Sequence, residues 1–217
     1  MDASWNAWFS KRRLLRAGLR MLRAAPKAAL DLDWDPGVVV HNVGRGLPFS
    51  SDSLTAIYSS HMLEHLHHRQ AEQLLDECHR VLEPGGILRI VVPDLRALVR
   101  EYLEHIDSQE GEAASKLAPL PADVLNDRLL FRHRSAPDGG ILFKWYTLLN
   151  DFHTHKWMYD RDSLTAQFAK ARFRDVRPMN AHESRIPDIQ GVETFGRVSE
   201  AGVCVEGVKP AGPAQNP

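Results

Sequence analysis

Hydrophobic residues follow two different spacings in the middle of the chain, and each spacing predicts a different element. Leu54–Ser59 and Ile87–Pro93 are short apolar runs with β-branched residues, which are typical of strands. Between them, apolar residues recur at the spacing of one helix face: Ala71, Leu74, Leu75, Cys78, Val81 and Leu82. Pro84-Gly85-Gly86 follows this stripe and predicts the end of the helix.

The same alternation continues towards both ends of the chain. Before residue 54, the pattern predicts two strands around the turn Asp35-Pro36-Gly37, namely Leu30–Trp34 and Val38–Val43. After residue 93 it predicts an amphipathic helix from Leu95 to Ile106, a helix starting at Asp162-Ser163 and reaching about Phe173, and final strands at Asp175–Pro178 and Val203–Val208. Strands that alternate with helices favour an α/β domain with a largely parallel sheet.

The sequence divides into three parts. Residues 1–28 predict a basic amphipathic helix that ends near Pro26, residues 29–209 predict the α/β domain, and residues 210–217 predict a disordered tail. Within the domain, residues 107–150 lack a regular pattern and contain several prolines and glycines. A stretch of this length in a compact domain is typically functional, so we interpret it as a lid or a substrate-side insertion.

Charge is distributed unevenly along the 217 residues. The chain has 27 basic and 28 acidic residues, yet residues 1–30 contain seven basic residues and a single acidic one. We expect the basic helix either to pack its leucine face on the domain or to contact a membrane surface or another anionic partner through residues 8–27. Because the rest of the chain is net acidic and shows no recognition module, we expect no nucleic-acid partner.

Composition excludes several classes of protein. The chain is 43% hydrophobic and contains no apolar run long enough to cross a bilayer. Its two cysteines, Cys78 and Cys204, form no CxxC motif, which predicts a reducing, cytoplasmic environment and no cysteine-built zinc site.

Several motifs occur in a fixed order between Gly46 and Asp94. They are a Leu47-Pro48-Phe49 loop, a Leu63-Glu64-His65 segment after the strand at residue 54, and Arg80-Val81-Leu82 followed by Pro84-Gly85-Gly86. This order resembles the class I S-adenosylmethionine-dependent methyltransferases, in particular the type 11 group. The resemblance continues more weakly at His155–Tyr159 and Ala171–Phe173, and covers roughly residues 30–210. It implies a doubly wound, Rossmann-like sheet, mostly parallel with an antiparallel C-terminal strand, and S-adenosylmethionine as cofactor.

The resemblance also implies roles for single residues. Asp33 matches the acidic residue that binds both ribose hydroxyls, with Asp31 as the alternative register, and Asn42 matches the residue that binds the adenine amino group. Ser59 and Ser60 match residues that line the space around the methyl donor. His61 is the first candidate for a general base, because its ordinary pKa is about 6.5.

The sequence departs from the family pattern at two places. The glycine-rich cofactor loop belongs near residues 15–28, where the only glycine is Gly18, so we interpret the first strand and its loop as lost. Arg172 stands where the family usually has a glycine at a helix end, and a left-handed conformation there costs about 1 kcal/mol. Two hypotheses follow: an active methyltransferase with an unidentified acceptor, or a binding or structural module that no longer binds the cofactor.

The segment His61-Met62-Leu63-Glu64-His65 also spells the H-x-x-E-H pattern of inverted zincins. That alternative needs a further acidic ligand, for which Glu101 or Glu104 is available, whereas the methyltransferase hypothesis predicts no metal. Because His61 is predicted at the end of a strand and not within a long helix, the sequence favours the methyltransferase. His153 and His155 are further candidates for the substrate side.

Overall fold

A computed structural model of the protein describes Val39 and residues 41–109, 120–130, 154–193, 198 and 202–211. The described residues belong to two units: Val39, residues 41–46 and Thr154 form part of one, and those between Leu47 and Arg132 and between His155 and Pro217 form part of the other. The predicted basic helix, the strand Leu30–Trp34 and most of residues 107–150 and 210–217 lie outside the described residues. Every helix and strand given below lies in the second unit.

In the part of the second unit that the structure describes, the strands form a four-stranded sheet. Its strands are β1 (Leu54–Ser60), β2 (Leu82–Pro93), β3 (Arg174–Pro178) and β4 (Gly202–Val208), and their order across the sheet is β1-β2-β4-β3. β1 and β2 are parallel, whereas β2 pairs with β4, and β4 with β3, in antiparallel fashion. The predicted α/β class and the antiparallel C-terminal strand are confirmed.

Among the described residues, four α-helices accompany the sheet: α1 (His68–Val81), α2 (Leu95–Gln109), α3 (Pro121–Leu129) and α4 (Arg161–Lys170). α1 provides the crossover that parallel strands require between β1 and β2. It buries the predicted apolar stripe of Ala71, Leu74, Leu75, Cys78 and Val81, so Cys78 belongs to the core as expected. Within the described residues, every helix is too short or too polar to cross a membrane.

The Pro84-Gly85-Gly86 sequence lies inside a strand, which corrects the prediction that it ends the helix. α1 already ends at Val81, and β2 begins at Leu82 with a shift in its register against β1. Gly85 has a φ of +87°, and its N–H donates to Lys209 O at 2.9 Å. A Cβ on Gly86 would lie 2.8 Å from Glu83 O. The glycines are therefore required by an irregularity within β2.

Three other boundaries differ from the sequence prediction for local reasons. Residues 41–43, at the end of the predicted strand Val38–Val43, are not part of a strand, and Arg45 N donates to Asn42 O at 3.0 Å in a turn over residues 42–45. α4 is capped by Asp160 and not by Asp162: Asp160 Oδ1 accepts the N–H of Ser163 at 2.8 Å. The predicted irregular stretch from residue 107 contains the end of α2 and all of α3, which Pro121 begins at its first position.

A fully buried cluster of charges crosses the sheet at Arg89. In the β2–β4 register Arg89 lies opposite Glu206, and its guanidinium donates to Glu206 Oε1 at 2.9 Å. The same guanidinium donates to both carboxylate oxygens of Glu193, at 2.9 and 2.8 Å. Burial acts to raise the pKa of Glu206, but hydrogen bonds from Ser184, Arg185 and Arg89 outweigh it and lower the pKa. Each charge in this cluster is therefore matched by donors or acceptors.

The Leu47-Pro48-Phe49 loop is held against α1 by a pair of charged residues. Leu47 N donates to Glu77 Oε2 at 2.9 Å, and Arg80 donates to Glu77 Oε1 and Oε2 at 2.8 Å each. Arg80 also donates to Phe49 O at 3.0 Å and to Leu47 O at 3.2 Å. The hydrogen bonds from Arg80 and from Leu47 N lower the pKa of Glu77 to about 2. Two motifs of the family resemblance, which are 30 residues apart, thus act together as a structural clamp.

We predict that Arg172→Gly stabilises the protein. Arg172 has a φ of +69° after α4, which is the left-handed conformation expected from the sequence. Glycine adopts it without strain, so the free energy of unfolding should rise by about 1 kcal/mol. The lost ion pair with Asp76 contributes little, since both side chains are exposed. Urea denaturation measures the change. Lys170→Gly, within the helix, is the control and should lower the free energy of unfolding by about 0.5 to 1 kcal/mol. A lower free energy of unfolding in Arg172→Gly would contradict the argument.

We predict that Glu77→Gln destabilises the protein by about 1 to 2 kcal/mol at pH 7, because the variant loses charge-assisted hydrogen bonds. Since the folded pKa of about 2 lies below the unfolded value, the contribution is complete above about pH 5 and is lost as pH falls towards 2. The difference between wild type and variant should therefore shrink on acidification in denaturation curves. Glu72→Gln, also on α1, is the control. A difference that stays constant with pH contradicts the assignment.

Candidate functional site

The carboxyl end of β1 contains a strained residue. β1 ends at Ser60, one residue after the predicted end at Ser59, and His61 follows with a φ of +50°. His61 N donates to Val91 O at 2.9 Å, so the backbone of β2 fixes its position. A left-handed conformation costs a residue with a side chain about 1 to 2 kcal/mol. Strain of this kind is concentrated at functional sites, where the surrounding structure maintains it.

Glu64 lies one turn further along the chain, in the short 3-10 helix Leu63–His65, and is completely buried. Three imidazole nitrogens surround its Oε1 atom: Nδ1 of His61 at 3.4 Å, Nε2 of His65 at 3.9 Å and Nε2 of His155 at 4.0 Å. Among the described residues, neither carboxylate oxygen has a hydrogen-bond partner. A buried carboxylate in this state is costly, because its lost hydration is not replaced.

His155 reaches this group because backbone hydrogen bonds hold the segment around it. Its own N–H donates to Leu130 O at 2.9 Å, just after α3. The next two N–H groups, of Lys156 and Trp157, donate to Glu64 O at 2.7 and 3.2 Å. Glu64 is therefore connected to this distant segment through its backbone as well as its side chain.

Burial shifts the proton affinity of two groups beside Glu64. It lowers the pKa of His155, although the negative charge of Glu64 opposes the shift, so the imidazole is neutral at physiological pH. Burial, followed by the charge of Glu64, raises the pKa of Tyr159 to about 12. The rings of His65 and His155 meet edge to face, with centroids 4.9 Å apart. The site thus combines a carboxylate, neutral imidazole and a protonated phenol.

The two predicted serines occupy adjacent positions at the end of β1. Ser59 pairs with Ile90 and Ser60 with Val91, so their side chains point to opposite faces of the sheet. The Ser59 hydroxyl oxygen is buried and has no hydrogen-bond partner among the described residues. It is a polar group at the strand end with capacity for a ligand.

The remaining predicted cofactor residues lie in the other unit or outside the described residues. Asn42 is exposed in the other unit, and its Oδ1 accepts the N–H of Gly44 at 3.0 Å. Asp33 and Asp31 lie outside the described residues. Their roles in cofactor binding stay predictions.

The zinc alternative takes a different form from the one the sequence suggests. Glu101, on α2, pairs with Arg128 at 2.6 Å, and Glu104 is exposed. Among the described residues, the three side chains whose ligand atoms lie within 4.8 Å of one another are instead those of Glu64, His65 and His155. The sequence indicates His155 only as a residue of the substrate side, and its one signal is its position at the start of the segment His155–Tyr159, which resembles the family.

Comparison with known proteins gave a match for one part of the chain. A family model described as "Methyltransferase domain", of the type 11 group, matches residues 16–90. A comparison with curated proteins gave no match.

Solved structures with a similar arrangement include two S-adenosylmethionine-dependent methyltransferases. One, from Archaeoglobus fulgidus, is 14% identical, with 79% of this chain and 66% of that chain covered and a TM-score of 0.42. The other, from Thermotoga maritima, is 18% identical, with coverages of 80% and 64% and a TM-score of 0.40. The chain thus spans slightly less than two thirds of the length of these structures. In the segment 16–90, which contains β1, α1 and most of β2, the chain is similar to the methyltransferase domain of the type 11 group, as its motifs predicted.

Proposed function

We propose that the protein transfers a methyl group from S-adenosylmethionine to an acceptor that loses a proton. The observation that supports this most directly is the strained His61 beside buried Glu64, at the carboxyl end of a strand within the matched segment. Ligands of open α/β sheets bind in the crevice outside the carboxyl ends of the strands. The strained His61 and the buried carboxylate support the proposal because they lie at this end of the sheet.

The residues present fit the cofactor in part. The Ser59 hydroxyl is buried and has no hydrogen-bond partner among the described residues, so it suits a polar group of the ligand at the strand end. Asp33 would bind the ribose hydroxyls, and Asn42 retains a second lone pair on Oδ1 for the adenine amino group. When bound, S-adenosylmethionine supplies a methyl group that its sulfonium has already activated.

His61 would act as the general base. Its side chain is 29% exposed, so an acceptor can approach it from solvent, and its Nδ1 lies 3.4 Å from Glu64 Oε1. In this arrangement Nε2 takes the proton of the acceptor, while the carboxylate orients the ring and stabilises the imidazolium that forms. The remainder of the catalytic effect comes from positioning the two reactants.

The proposal is tested by calorimetric titration of the purified chain with S-adenosylhomocysteine, which needs no knowledge of the acceptor. We expect micromolar binding that Asp33→Ala removes and that His61→Asn retains, because asparagine tolerates the left-handed conformation and His61 acts on the acceptor. Asp123→Ala, on the exposed side of α3, is the control.

The variants also separate the possible results. If Asp31→Ala removes binding and Asp33→Ala does not, Asp31 is the ribose-binding residue. The register of the predicted strand then differs by two residues, and the proposed function is retained. The absence of binding by a protein shown to be folded would contradict the proposal and support the non-catalytic module. The contact of residues 8–27 with an anionic partner, and the cytoplasmic location, stay predictions.

A further inference from the structure

We propose that Glu64, His65 and His155 form a binding site for a divalent transition-metal ion, of which zinc fits best. The ligand atoms of these three side chains all lie within 4.8 Å of one another. From Glu64 Oε1, the distances to Nε2 of His65 and of His155 are 3.9 and 4.0 Å. Ligands of a tetrahedral zinc ion lie about 3.3 Å apart, given bonds of about 2.0 to 2.2 Å. The ligand atoms therefore need to approach one another by at most about 1.5 Å to bind the ion.

The donor atoms indicate which class of metal is bound. Two imidazole nitrogens and one carboxylate oxygen suit zinc, iron, cobalt or nickel, whereas magnesium and calcium prefer oxygen ligands alone. Two histidines and one glutamate also form a known set of protein ligands in catalytic zinc sites, where water completes the coordination. This combination of two histidines and one glutamate thus favours zinc over the alkaline-earth ions.

The state of Glu64 is an independent observation that points to a cation. Its side chain is 0% exposed, and both oxygens lack a hydrogen-bond partner among the described residues. Buried carboxylates are normally paired with a cation or coordinate a metal. Elsewhere in this protein, buried Glu206 has Arg89, Ser184 and Arg185 as partners, so the chain satisfies such a group where no ion is needed.

The ligands are positioned by the backbone before any ion arrives. The N–H of His155 donates a hydrogen bond to Leu130 O, and the N–H groups of Lys156 and Trp157 donate to Glu64 O. A metal site requires this type of support, because loosely held ligands lose affinity. His155, which lies farthest along the sequence from the other two ligands, is therefore connected to the backbone of Glu64 through the two residues that follow it.

The site is closed on one side and accessible on the other. His155 is 5% exposed and Glu64 is buried, whereas His65 and His61 are each 29% exposed. With three protein ligands and an accessible side next to His61, the site matches the open kind that retains a water molecule. It differs from the closed, four-ligand kind that only supports a fold. The site does not depend on methyl transfer or on S-adenosylmethionine.

The test measures metal binding by the full chain without S-adenosylmethionine. Protein stripped with a chelator is titrated with Zn²⁺, Co²⁺ and Mg²⁺ by calorimetry, and the visible absorption of Co²⁺ reports its coordination. We expect one Zn²⁺ per chain, at micromolar or tighter affinity, a four-coordinate Co²⁺ spectrum and no binding of Mg²⁺. His155→Gln and Glu64→Gln should weaken Zn²⁺ binding at least 100-fold and remove the Co²⁺ spectrum.

His105→Gln removes an exposed histidine on α2 and should leave both readouts unchanged. Circular dichroism and urea denaturation establish that each variant is folded, and His65→Gln replaces any variant that is not. Equal Zn²⁺ affinity in wild type, His155→Gln and Glu64→Gln overturns the proposal, as does the absence of a stoichiometric Zn²⁺ site. S-adenosylhomocysteine binding is measured in a separate experiment. Each of the two proposals can therefore be contradicted while the other still holds.

Discussion

The carboxyl end of β1 is organised around a carboxylate that is removed from water and receives no hydrogen bond from the described residues. Glu64 is completely buried, and the groups nearest to its Oε1 are imidazole nitrogens of His61, His65 and His155 at 3.4 to 4.0 Å. The backbone around it is arranged accordingly. His61 is strained just before it, and Glu64 O accepts the two N–H groups that follow His155. The positions of the candidate base and of the candidate metal ligands both depend on this one residue.

A second buried charge cluster in the same unit shows the contrast. Arg89 faces Glu206 across β2 and β4 and binds Glu193 with two hydrogen bonds, while Ser184 and Arg185 complete the partners of Glu206. Those charges join the sheet to the segment before β4, and removing one partner would leave another buried and unpaired. Glu64 has no such partners among the described residues. We infer that the Arg89 cluster supports the fold, whereas Glu64 is retained for what it binds or orients.

Sequence spacing predicts the parts of this fold that depend on local patterns. β1 and α1 follow from apolar runs and a helical stripe. The left-handed conformation of Arg172 follows instead from the family resemblance, in which a glycine usually stands at this position. Pro84-Gly85-Gly86 was misassigned, because helix-ending residues and a strand irregularity use the same amino acids.

The site was predicted only in part, because its members are distant in sequence. His61 at the strand end and the neighbouring Glu64 and His65 can be read from one motif. The position of His155 beside Glu64 depends on backbone hydrogen bonds from its segment to Leu130 O and Glu64 O. No periodicity in the sequence encodes contacts of this kind. The same holds for Arg89, whose burial in an apolar strand is explained only by Glu193 and Glu206.

The most direct test of this account compares the free energy of unfolding of Glu64→Gln and Glu206→Gln in metal-free protein at pH 8. A carboxylate that serves binding and not stability can be neutralised without loss of stability. The free energy of unfolding of Glu64→Gln should therefore equal that of the wild type or exceed it by about 1 kcal/mol. Glu206→Gln breaks a satisfied buried pair and should lower stability by about 3 kcal/mol or more. A loss of similar size in Glu64→Gln would show that Glu64 supports the fold, and would contradict the account.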